Sequence, residues 1–181
     1  MRRHLSVEED ERTTLLSRRL RAAKVRGYLT KGELEAVCRW KSSRAIQHIR
    51  ANTHHRVRSA TAAAMATRSE RRRLEALLQL KGVSVPMASA ALMLLYPKRY
   101  GVIDIRVWQL LFVVGAVNDK QGGVNFSVKN WLEFVVILRR LSSKLGVSAR
   151  AVERTLFDVH KANQKDRLYE ALPRTDRPAP Q

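Results

Sequence analysis

The segment Leu80-Lys81-Gly82-Val83-Ser84-Val85-Pro86 leaves the chain few options. Gly82 can adopt φ > 0, which a two- or three-residue turn between helices requires. Pro86 suits the first turn of a following helix, where its missing N–H would have no intrahelical partner. A tight helical hairpin is therefore expected at the centre of the chain. Small side chains at Ala88, Ser89, Ala90 and Ala91 predict that its second helix packs closely. The amides at that helix's N-terminus point outward with partial positive charge, an arrangement suited to an anion. One carboxylate then follows in Val102-Ile103-Asp104-Ile105-Arg106-Val107-Trp108, where Asp104 stands at a natural N-cap position.

The flanking sequence reads as helix almost throughout. Ser6–Glu9 has the pattern of a capping box and predicts a first helix running to about Ala23, with Leu15, Leu16 and Leu20 on its apolar face. Thr30–Glu33 repeats the pattern before Leu34, Val37 and Cys38. Trp40–Arg44 is a short break, and alanine-rich Arg56–Thr67 has high helix propensity. Thr67–Glu70 opens the helix that climbs into the hairpin. Beyond Trp108, the Gly122-Gly123 pair marks a loop, Ser127 caps a long helix ending at Gly146, and Ser148 opens another. The expected fold is all-α: a compact bundle of about seven to nine helices, with room for two small lobes around a cleft. One domain is expected over 1–172: an N-terminal part 6–67, the hairpin and aspartate at 68–117, and C-terminal helices at 126–171. Residues 173–181, rich in proline and charge, read as a disordered tail.

Charge narrows the partners. The 181 residues carry 35 Lys plus Arg against 16 Asp plus Glu, a net charge of +19. Such an excess attracts polyphosphate at long range and makes its binding salt-dependent. A nucleic acid is the expected partner. No segment is apolar for the length of a membrane span, and Met1-Arg2-Arg3-His4 leads into charged sequence, so neither membrane insertion nor a signal peptide is expected. A single cysteine, Cys38, gives no internal disulfide and fits a reducing cytoplasm, with nucleoid association following from the charge. The chain is expected to be monomeric. His48, His54 and His55 lack the companions of a zinc site and read as surface or phosphate-contacting residues.

Leu80-Lys81-Gly82-Val83-Ser84, with Ala88 downstream and Asp104 roughly 20 residues on, resembles the helix-hairpin-helix DNA glycosylase superfamily. That superfamily includes endonuclease III and the 8-oxoguanine and 3-methyladenine glycosylases. The resemblance covers about the middle third of the chain. It implies removal of a damaged or modified base flipped from duplex DNA, with Asp104 activating water or stabilising the oxocarbenium-like state. Two departures matter. Ser84 stands where the family's hairpin has a second glycine, and Pro86 stands where bifunctional members carry a Schiff-base lysine. The resemblance therefore implies a monofunctional enzyme without lyase activity. With only Cys38, a four-cysteine iron–sulfur cluster is excluded. No cofactor is expected beyond a monovalent cation that the hairpin could hold.

Candidate DNA contacts are Lys81, Gly82, Val83, Ser84 and Val85 in the hairpin, Arg71 and Arg72 before it, Lys98 and Arg99 ahead of Asp104, and Lys41. Candidate base-pocket aromatics are Trp108, Tyr100, Tyr96 and Trp40. Trp108, beside Leu110 and Leu111, also reads as ordinary core, and Asp104 also reads as a helix cap alone. A second class of function stays open: a non-catalytic helix-hairpin-helix module that binds DNA or RNA.

Overall fold

The computed structural model describes residues 5–164, and no strand occurs among them. The protein is all-α. Ten α-helices follow one another among the described residues: α1 (Glu11–Arg19), α2 (Arg21–Arg26), α3 (Lys31–Lys41), α4 (Ile46–Arg50), α5 (His54–Ala66), α6 (Glu70–Leu78), α7 (Val85–Leu95), α8 (Ile105–Val113), α9 (Val128–Leu145) and α10 (Ala149–Asn163), with a 3-10 turn at Ser43–Ala45 leading into α4. Only Leu20, itself in helical conformation, separates α1 from α2, so these two form one bent arm. The expected last helix to 171 and the tail at 173–181 run beyond the described residues. No helix is long and apolar enough to cross a membrane among the described residues.

The centre of the molecule is α7. Every residue of it except Pro86 is buried, as expected of a helix apolar on all sides. It packs against α1, α3, α6 and α9, which the small side chains at Ala88, Ser89, Ala90 and Ala91 permit. Around it Leu20, Leu34, Leu74, Trp108, Trp131 and Phe134 are fully buried. Burying side chains of this size contributes on the order of 2 kcal/mol each, before the entropy of ordering the chain is subtracted.

Local signals placed most helix starts. Thr30 and Glu33 form the expected capping box, and Ser69, Ser127 and Ser148 each accept a first-turn amide. The Ser6–Glu9 box does not form. The Ser6 hydroxyl donates to Asp158 instead, Glu9 pairs with Arg150 and Arg154, and α1 starts at an Asp10 cap. Arg73 is buried and closes the end of α5, donating to the carbonyls of Ala64 and Thr67.

Candidate functional site

The α6–α7 connection is a hairpin with Gly82 at φ +78°. A Cβ on Gly82 would lie 2.7 Å from the His48 Cβ and 3.1 Å from the Ile49 amide, so α4 presses directly on the turn. Asn52, at the end of α4 and 1% exposed, ties the two together. Its Oδ1 accepts from the Lys81 amide at 2.9 Å, and its Nδ2 donates to the carbonyls of Lys81 and Ile49, each at 2.9 Å. Ser84 is the N-cap of α7 but makes no side-chain cap bond. Among the described residues, the amides of Gly82, Ser84 and Val85 meet no protein acceptor, and they stand together at the helix's positive end.

Two buried side chains fix the segment that leads into Asp104. Ser89, on α7, donates to the Pro86 carbonyl and accepts from the Ile103 amide at 3.1 Å. Glu153, on α10, accepts from the Val102 amide. Gly101 lets the strand-like segment lie against α10, since a Cβ there would sit 2.5 Å from the Glu153 Cβ. Burial drives the Glu153 carboxyl pKa upward, more than the neighbouring Arg150 lowers it. The segment 101–103 is thus pinned to both neighbouring helices.

The Asp104 carboxylate caps α8 through the Arg106 amide at 3.0 Å and pairs with the Lys41 ammonium at 2.8 Å. Both side chains are about one-fifth exposed (18% and 19%). They stand in the wall of a cleft of about 860 Å³, which Gly82, Ser84 and Pro86 also line. Phe126 and Phe157 supply its aromatic lining, and the Arg106 guanidinium lies over the Phe157 ring, 5.6 Å from its centre. The loop at 118–126 closes one side: Gly123, at φ +65°, sits against the Ile105 backbone. A turn with open amides, a carboxylate and two aromatic rings therefore share one cavity.

The other sequence candidates fall in different places. Trp108 is fully buried, donating to the Asp119 carbonyl and set edge-on to Phe126, so it supports the cleft from behind instead of lining it. Tyr100 also belongs to the core: it stacks on Trp131 and donates to Glu70 at 2.7 Å. Tyr96 is half-buried beneath Lys24, away from the cleft. Trp40 lines a smaller neighbouring cavity of about 400 Å³, with its indole N–H on Thr13. Arg99 is held by Glu70, which Arg139 also grips, and neither Arg99 nor Lys98 lines the cleft. Arg71 pairs with Glu75, and Arg72 is exposed beside it on the outer face of α6. In the hairpin, Lys81 and Ser84 are exposed while Val83 and Val85 are buried, so those valines offer backbone only.

Sequence reasoning missed Asn52, Ser89, Phe126, Phe157 and the partnership of Lys41 with Asp104. Asn52 beside Thr53 reads locally as a helix-cap residue, and nothing nearby signals its reach to Lys81. Neither a protein-family model, nor a curated protein, nor a solved structure matches this chain.

Proposed function

We propose that the protein binds duplex DNA and hydrolyses the N-glycosidic bond of a damaged or modified base, in the manner of monofunctional helix-hairpin-helix glycosylases. The observation that carries this reading is the shared cleft: Asp104 and the open end of the hairpin line one cavity. The amides of Gly82, Ser84 and Val85 receive a backbone phosphate, with Lys81 adding charge beside them. The extruded base enters between Phe126 and Phe157, where ring faces replace the stacking it leaves. Asp104 stabilises positive charge developing on the sugar, or takes the proton of the attacking water. The C1′–N bond breaks, water supplies the new C1′–O bond, and the free base and an abasic site depart. Lys41 holds the carboxylate in position.

The test compares wild type with Asp104→Asn on duplexes carrying modified bases, with abasic sites revealed by alkali and binding measured in parallel. Asparagine caps helices about as well as aspartate, so the variant should fold. Base release by wild type and its loss in a variant that still binds are the expected results. A panel without release overturns the catalytic reading. One observation favours a non-catalytic nucleic-acid module instead: both Asp104 oxygens already have protein partners. That alternative expects salt-sensitive binding and no release from any duplex.

A further inference from the structure

The cleft does not end at Asp104. Lys41, Asp104 and Phe157 form a wall common to it and the 400 Å³ cavity beneath Trp40. Arg150 and Arg154 are in turn shared between that cavity and a third, of about 390 Å³, under the bent arm of α1 and α2. Three adjoining hollows thus run from the hairpin to the far side of the N-terminal arm.

At that far end stand Arg18, Arg21 and Lys24. All three are exposed, and none has a carboxylate partner among the described residues. All three line that one cavity, which places them on one side of the bent arm, and six residues of helical rise spread them over about 9 Å, near three nucleotide steps. Arg150 and Arg154 differ: they are tied to Glu9, with Arg150 also on Glu153 and beneath the Trp40 ring, so they serve as fixed posts. The carboxylates here are already matched by the posts, so the row's three charges meet no carboxylate among the described residues, and Lys24 also lies over the Tyr96 ring. A row of uncompensated cations at the end of a furrow is complementary to a phosphodiester backbone.

We infer that Arg18, Arg21 and Lys24 form a second DNA-contact site, gripping the phosphate backbone of the same duplex that engages the hairpin. This inference rests on the DNA-binding reading above, though not on catalysis. Each phosphate neutralised on a duplex adds about 0.9 to the slope of log affinity against log salt. The triple variant Arg18→Gln, Arg21→Gln, Lys24→Gln should therefore lower that slope by about 2 to 3 across roughly 50 to 200 mM salt. A control of equal charge change, Lys129→Gln, Arg140→Gln, Lys144→Gln, removes exposed cations from α9. Its slope should stay near that of wild type. The inference is overturned if the first triple binds with the wild-type slope, or if both triples lower it equally. Failure of wild type to bind any duplex overturns the DNA-binding reading along with it. Because the replaced residues are exposed, circular dichroism and the melting temperature should match wild type in both variants.

Discussion

Replacing Asn52 by alanine removes the side chain whose hydrogen bonds tie the end of α4 to the hairpin. Two bonds to the Lys81 backbone are lost, each 2.9 Å long, one to its amide and one to its carbonyl. Ile49 is less affected, because its carbonyl also accepts from the Asn52 backbone amide. At about 1 kcal/mol per bond, with part of the penalty for groups that water reaches poorly, the change should cost about 2–3 kcal/mol. In a chain of this size that lowers the melting temperature by roughly 4–12 °C. Urea unfolding measures the loss, and hydrogen exchange should show the Lys81 and Val83 amides opening ahead of the α7 core. The variant Asn52→Asp refines the test. It keeps an acceptor for the Lys81 amide but turns a carboxylate towards two carbonyls, which raises the introduced group's pKa in the folded state. Its stability should therefore recover as pH falls through that raised pKa, the reverse of ordinary acid denaturation. A loss below about 0.5 kcal/mol in Asn52→Ala, with unchanged exchange at the hairpin, would refute the argument that Asn52 holds the turn.

Two further outcomes follow from other parts of the fold. Gly82→Ala should cost about 1–2 kcal/mol for left-handed backbone alone. The contact with His48 and Ile49 adds to that cost, so duplex affinity should fall more than in a variant of the exposed Lys81 side chain. Burial, and then the bond to the Glu70 carboxylate, push Tyr100 up to about 12. The folded state thus favours the protonated phenol, and this contribution is complete below the unfolded tyrosine pKa near 10. It declines as pH rises towards 12, where wild type should have lost about 2 kcal/mol that Tyr100→Phe does not lose, read from unfolding curves across that range.

What was legible in the sequence was local. The caps at Thr30, Ser69, Ser127 and Ser148 act within three residues of themselves, and Gly82 announces its own turn. Asp104 was legible as a cap for the same reason. Ser6–Glu9 shows the limit, since a valid local pattern lost both its side chains to partners on α10. The cleft depends still more on long-range pairing: Lys41 arrives from α3, Phe157 from α10, and Ser89 pins Ile103 from the middle of α7. Two of the aromatic candidates lie outside the cleft for a related reason. Trp108 and Tyr100 point inward to satisfy large buried surfaces, while the smaller Phe126 and Phe157 were left to line the cavity.

Arg73 and Arg150 divide the protein's positive charge into two populations with different responses to ions. Arg73 is buried against backbone carbonyls and Arg150 against Glu9 and Glu153, whereas Arg18, Arg21, Lys24 and Lys81 face water. Counterions screen the second group strongly, since the Debye length falls from about 10 Å at 0.1 M to about 3 Å at 1 M. They reach the first group poorly. Concentrated salt should therefore release a bound polyanion while leaving the helices packed, so the same arginine-rich composition makes attachment reversible and the fold indifferent to the brine that reverses it.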